Sequence, residues 1–204
     1  MKHYCIYLKS SGRVAFQEEQ FKAQDIPVEF VKGIEGDKLG IRHVANYYTP
    51  GMLGCFLSHK LIIEQIARSN TKEVCAIYED DAVLSADYIC KLNRRIKYLP
   101  KLCDIALLGY VHTQGSYSFP INLYWGTMFY KNPHGFYGYI INGSEGAKVI
   151  AEYLDTITDQ VDIQVFKQVK EDKIKCYLSL RPIVGHRGVE TTVQSYKVAT
   201  PIDK

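Results

Sequence analysis

Glu79, Asp80 and Asp81 stand in a row at the end of an apolar run, Val74-Cys75-Ala76-Ile77-Tyr78. That run is β-branched, aromatic or small and carries no charge, which is the pattern of a buried strand. A buried strand that ends in three carboxylates must bring them where water, a metal or another cation can reach them. Adjacent negative charges repel one another, and each costs free energy to desolvate unless it is paired. A divalent cation with oxygen ligands offsets that cost and can hold a diphosphate as well. In open α/β sheets ligands bind outside the C-terminal ends of strands. On its own the tripeptide is also compatible with an acidic strand-to-loop turn in water.

Other residues could carry chemistry, each with a structural alternative. Ser58 and His59 are adjacent, so on a helix they do not face each other and are no catalytic pair. The glycines just before them, Gly51 and Gly54, cost a helix about 1 kcal/mol each relative to alanine and permit close approach of a ligand or a strand. Nine aromatics lie from Tyr117 to Tyr139, among them Trp125, the only tryptophan. Rings can cover the C–H faces of sugars while their hydroxyls and indole N–H serve polar ends, although most of these rings are expected to pack as core. Asp162 could be a general base or a helix N-terminal acid favoured by the dipole. His186 could be a metal ligand if its loop folds back over the acids, and is otherwise an exposed loop histidine.

These residues need a scaffold, and the composition allows one. Of 204 residues, 47% are hydrophobic and 23% charged, which suits a globular chain with a real core. A net charge of +3 is too mild to indicate a nucleic-acid partner. Lys91, Arg94, Arg95, Lys97 and Lys101 cluster, either as the solvated face of a surface helix or as a contact with an anionic membrane surface. The N-terminal apolar stretch is too short for a signal peptide, and no segment reaches transmembrane length. Six scattered cysteines without a C-x-x-C pair read as small buried hydrophobes in a reducing compartment.

Strands and helices alternate along the chain. Strands are expected at 4–8, 28–31, 74–78, 104–108, 139–141 and 174–180. Helices are expected at 13–24, 51–68, up to Arg95 after a Ser85 or Asp87 cap, 145–154 and 162–170. Thr49 fits an N-cap and Pro50 the first helical position. Residues 109–138 and those after Pro182 read as loop. The expected fold class is α/β, a single domain over 1–204 with a mostly parallel central sheet flanked by helices.

Taken together, the segments resemble glycosyltransferase family 25, the bacterial lipooligosaccharide galactosyltransferases and their relatives. Thr49-Pro50-Gly51-Met52-Leu53-Gly54-Cys55-Phe56-Leu57-Ser58-His59 is similar to the family's T-P-G-E-x-G-C-x-x-S-H block, with Met52 in place of the acid. Tyr78-Glu79-Asp80-Asp81 is similar to its L-E-D-D block, and Phe136-Tyr137-Gly138-Tyr139-Ile140-Ile141 with Gly146-Ala147 to its G-x-G-Y-x-I and G-A blocks. Of the early N-L-x-x-R-x-x-R only Arg13 is kept, and His186 stands where relatives often carry Gln.

The resemblance implies an inverting transferase of GT-A fold that uses a UDP-sugar, most often UDP-galactose, and a divalent metal, Mn²⁺ or alternatively Mg²⁺. The implied acceptor is a saccharide or glycolipid of lipooligosaccharide or a similar surface glycan. It implies Asp81 as the direct metal ligand with His186 completing the shell. Arg13, Ser58, His59, Glu79 and Asp80 are implied as donor contacts, Asp162 as the base, and Trp125 and Tyr137 as acceptor contacts. The expected location is the cytoplasm, on the inner face of a membrane if the acceptor is lipid-linked. Two other readings stay open, a metal-dependent phosphohydrolase and an inactive nucleotide-sugar-binding module.

Overall fold

The computed structural model describes residues 1–40, 49–111, 118–128 and 134–187. Its ten strands are β1 (Lys2–Tyr7), β2 (Glu29–Lys32), β3 (Cys75–Glu79), β4 (Ala82–Leu84), β5 (Ile105–Leu107), β6 (Ser118–Pro120), β7 (Trp125–Met128), β8 (Gly138–Ile141), β9 (Cys176–Ser179) and β10 (Val184–His186). Five α-helices are described: α1 (Val14–Ala23), α2 (Pro50–Arg68), α3 (Tyr88–Lys97), α4 (Gly143–Ala151) and α5 (Val161–Lys170).

Eight strands form one sheet in the order β2-β1-β3-β8-β5-β9-β7-β6, and β4 pairs with β10 in a small second sheet. In the large sheet β1 runs parallel to β2 and β3, and β5 parallel to β9. Only β8 and β7 run against the rest. The α/β class with a mostly parallel sheet is therefore as expected.

Side chains alternate across these strands and build a core on each face. Ile6, Ile77, Leu107, Tyr139 and Ile141 pack with Phe56, Ile62 and Ile66 of α2, Ile150 of α4 and Phe166 of α5. Cys5, Ala76, Tyr78, Ala106 and Ile140 pack on the other face with Phe21 of α1 and Tyr88 and Leu92 of α3. The helices thus flank the sheet on both sides, and the chemistry falls at the C-terminal ends of β1 and β3, where Ile6 pairs with Glu79.

Local signals placed the long helix well. Thr49 Oγ1 accepts from the Met52 backbone N–H at 3.1 Å, and Pro50 is the first helical residue. At α3 the capping position falls to Asp87, one of the two expected residues, which lies in the left-handed region, φ 53°, and makes no side-chain capping bond. The stretch read as loop at 109–138 contains β6 and β7, and the one after Pro182 contains β10. Each of these strands has three or four residues, too short to show a period, and each forms only because a distant strand supplies its partner. Of the aromatic stretch, Tyr117, Phe129 and Tyr130 lie outside the described residues. Of the five clustered cations, Arg95 is buried, donating from Nε to Ser179 Oγ at 2.7 Å and from Nη2 to the Arg181 carbonyl at 2.6 Å.

Candidate active site

The turn from β3 into β4 carries the three acids, and its backbone is clamped from two sides. Gln17, fully buried on α1, donates from Nε2 to the Asp80 carbonyl at 3.0 Å and the Ala82 carbonyl at 2.8 Å. The Arg187 N–H, just past β10, donates to the Asp81 carbonyl at 2.8 Å. A glutamine among the polar residues of α1 gives no sequence signal for such a clamp, because its partners lie more than sixty residues away.

The three carboxylates meet three different fates. Asp80 is buried and fully engaged. Its Oδ1 pairs with Arg13 Nη2 at 2.8 Å, and its Oδ2 accepts from the Leu8 N–H at 3.0 Å and Ser11 Oγ at 2.7 Å. It fixes the turn that leaves β1 and holds the Arg13 guanidinium at the cleft that Asp80 itself lines. Glu79 Oε1 lies 3.0 Å from His59 Nε2, and His59 Nδ1 lies 2.9 Å from Tyr139 Oη. Asp81 keeps part of its surface open, while its Oδ1 is buried and lacks a hydrogen-bond partner. Burial, reinforced by the charge of Glu79, pushes the Asp81 carboxyl up to about 7, against the opposing pull of Arg13.

An open cleft of about 800 Å³, solvent included, faces these acids. Arg13, Ser58, His59, Glu79, Asp80 and Asp81 all line it, together with Ser10, Glu35, Gly36, Asp37, Gly51 and Cys55. The structure thus gathers six of the expected site residues in one place. Ser58 and His59 serve it mainly by holding others. Ser58 Oγ donates to the Gly54 carbonyl at 2.6 Å and accepts from the Ile34 N–H at 2.7 Å, which ties the segment after β2 to α2. Gly54 permits that approach, since a Cβ there would lie 2.4 Å from the Ile34 carbonyl oxygen. Arg13 Nε is buried and makes no hydrogen bond.

Other expected residues sit elsewhere. His186 is brought beside the acids, pairing across the small sheet with Ala82, and its ring packs 5.1 Å from Tyr137. Tyr137 is buried behind the acids and is not among the cleft-lining residues, so it offers little to an acceptor. Trp125 is completely buried and donates from Nε1 to the Arg95 carbonyl at 2.9 Å. A ring so enclosed is core and presents no face to a sugar, which corrects the expected acceptor role. Asp162 is buried too, with Oδ2 accepting from the Gly135 N–H and Oδ1 from the Ile163 N–H, both at 2.8 Å. It holds the turn that leads into β8, its Oδ2 also lies 4.0 Å from His134 Nδ1, and it is not among the residues lining the cleft.

Among the described residues, the one group of three metal-ligating types with ligand atoms within 4.8 Å is Cys55, His59 and Glu79; Asp81 and His186 are not part of it, and His186 does not line the cleft. Burial and the nearby carboxylates push the Cys55 thiol up, so without an ion it stays neutral. A hard cation prefers oxygen ligands, and the half-buried Asp81 carboxylate on the cleft offers them.

A family model described as Glycosyltransferase family 25 (LPS biosynthesis protein) matches residues 1–165. The chain belongs to this family. Every residue of the acid turn and of the cleft falls inside the matched span, so family 25 membership and the site coincide. A comparison with curated proteins finds no match. Solved structures give distant likenesses. A glycosyltransferase involved in the glycosylation of the major capsid of PBCV-1 is 10% identical, with 87% of this chain and 82% of that chain covered and a TM-score of 0.48. The apo-form glycosyltransferase GlyE of Streptococcus pneumoniae TIGR4 is 9% identical, with 86% and 45% covered and a TM-score of 0.45. A 4-diphosphocytidyl-2C-methyl-D-erythritol synthase is 10% identical, with 98% and 94% covered and a TM-score of 0.46. Membership of family 25 rests on the family model and not on these. As a glycosyltransferase the chain takes a sugar donor and an acceptor. No helix among the described residues is long and apolar enough to cross a membrane.

Proposed function

We propose that this glycosyltransferase moves a sugar from a UDP-sugar, UDP-galactose first, to a saccharide or glycolipid acceptor of the lipooligosaccharide kind, with inversion and in a GT-A arrangement. The observation that carries the reading is the gathering on one open cleft of the Arg13 guanidinium with the carboxylates of Glu79, Asp80 and Asp81, of which Asp81 keeps part of its surface open. A ligand that offers anionic oxygens to the guanidinium and a cation to the carboxylates suits this lining. A nucleoside diphosphate accompanied by a divalent cation has that chemistry. Its phosphate oxygens accept from Arg13, and the cation takes Asp81.

Asp81 would hold Mn²⁺ or Mg²⁺ directly, with His186 of the adjoining strand completing the shell. When bound, the cation offsets the negative charge that grows on the leaving diphosphate. Arg13 adds a fixed positive charge on the same side while Asp80 keeps its guanidinium aimed. His59 orients Glu79, and Ser58 holds the wall at Ile34. With Asp162 not among the cleft-lining residues, the group that takes the acceptor hydroxyl's proton comes from the cleft's own carboxylates. The phosphohydrolase reading loses support: Asp104 stands at the start of β5, at the sheet end opposite the acids, and its Oδ2 accepts from the Lys175 N–H at 2.8 Å.

UDP release from UDP-galactose, UDP-glucose and UDP-N-acetylglucosamine, each with an acceptor mixture and with or without Mn²⁺, tests this reading. Cation-dependent UDP release from one donor is expected. Release of phosphate from simple esters instead would overturn it, and binding of a nucleotide sugar without turnover would favour an inactive module.

A further inference from the structure

Away from the cleft, the β6–β7 hairpin and the turn after α3 carry large apolar side chains that stand clear of the fold. Leu123 is 82% exposed, Leu102 74% and Phe119 66%, and Ile121 and Tyr98 are also exposed. The two segments form one surface. Asn122 Nδ2 donates to the Tyr98 carbonyl at 3.0 Å, and the rings of Tyr98 and Tyr124 lie 5.2 Å apart. Leu102 follows on the turn closed by the bond from the Cys103 N–H to the Pro100 carbonyl. An exposed apolar patch rimmed by polar groups marks an interaction site.

Its rim is positive. Arg94, Lys97 and Lys101 are exposed on and just after α3, and Arg181 is exposed beside them, its carbonyl bound by Arg95. Neither Asp nor Glu occurs anywhere from Tyr88 to Cys103 or from Ser118 to Met128. The charged side chains that these two segments carry are therefore all positive. The apolar groups sit at a hairpin tip and a turn. Side chains that protrude in this way insert, whereas a groove would receive a partner's helix. Lys97 Nζ lies 5.8 Å from the Tyr98 ring centre, a pairing of amphipathic tips suited to a headgroup layer.

We propose that this face seats the protein on an anionic lipid bilayer. Leu123, Leu102 and Phe119 enter the headgroup boundary, and Arg94, Lys97 and Lys101 rest on the lipid phosphates. None of these residues lines the cleft, so the proposal stands apart from the transfer reading.

Flotation of the full chain with phosphatidylcholine vesicles, and with vesicles in which about one-third of the lipid is phosphatidylglycerol, tests it. Binding is expected only to the anionic vesicles and is expected to weaken with added salt. L123D should lower vesicle affinity at least about tenfold. Combined R94Q/K97Q/K101Q should lower it on the order of 100-fold at low salt. Because these side chains are exposed, the variants should keep the wild-type circular dichroism and melting curve. As a direct depth reading, L123W should be quenched by bromine-labelled acyl chains, against a background from the buried Trp125. Equal binding to both vesicle types, or binding indifferent to both sets of substitutions, would overturn the proposal. Absence of vesicle binding with self-association that L123D abolishes would also overturn it and assign the patch to a second copy of the chain.

Discussion

At Asp81 two effects oppose each other. Burial and the neighbouring Glu79 favour the protonated acid, and Arg13 favours the carboxylate, with burial prevailing. A divalent ion bound there, as proposed, would reverse the balance. Asp81→Asn removes the poorly solvated charge while keeping the shape. In mildly alkaline buffer without divalent cations it should stabilise the protein by about 1–2 kcal/mol in urea titrations. The same variant should lose any melting-temperature rise that Mn²⁺ gives the wild type. Asp80 behaves oppositely, because its ion pair and hydrogen bonds are satisfied. Asp80→Ala strands the Arg13 guanidinium and should cost about 3 kcal/mol, measured the same way. The presence of three acids at a strand end was legible because that information is local. Which acid is free was not legible, since it depends on Arg13, Ser11 and His59, far away in the chain.

Among the elements, α2 does most to shape the cleft. Its N-terminal turn meets the segment after β2 so closely that a Cβ on Gly54 would lie 2.7 Å from the Gly36 nitrogen. Gly54→Ala must push that segment away, which should destabilise the fold by about 1–3 kcal/mol and weaken nucleotide binding, as calorimetry would show. The sequence offered two explanations for the helix glycines, ligand or neighbour; Gly54 serves the neighbour, and Gly51 lines the cleft.

On β1, His3 is buried, its Nδ1 lies 3.0 Å from Tyr78 Oη, and burial lowers its titration from 6.5 to about 4. The folded state resists protonating this ring. Its share of stability is therefore full above pH 6.5 and is lost as pH falls from there towards about 4. His3→Gln should flatten that limb of the stability–pH curve, by on the order of 2 kcal/mol between its ends. The capping of α2 was legible from Thr49-Pro50. The strands β4, β6, β7 and β10 were not, because each is short and takes its identity from a partner strand.

Across the whole molecule, the site is built from segments spread from β1 to β10. The order of strands and helices was legible from alternating apolar runs, and it was enough to place the acids at the C-terminal end of β3. Trp125 and Asp162 show where such reading stops. Both are residue types that serve sugar sites, and both are consumed by the interior here, Trp125 by the Arg95 carbonyl and Asp162 by the Gly135 N–H. Burial is a property of the assembled sheet, and no single segment announces it.

The proposed function requires that the cleft hold a nucleoside diphosphate through Arg13 and a cation on Asp81. Calorimetric titration of UDP into the wild type and into Asp81→Ala, with Mn²⁺ and with chelator, tests it most directly. UDP should bind the wild type tightly only with Mn²⁺, and Asp81→Ala, still folded by circular dichroism, should lose that dependence and most of the affinity. Equal UDP affinity with Mn²⁺ and with chelator, unchanged in Asp81→Ala, would contradict the account.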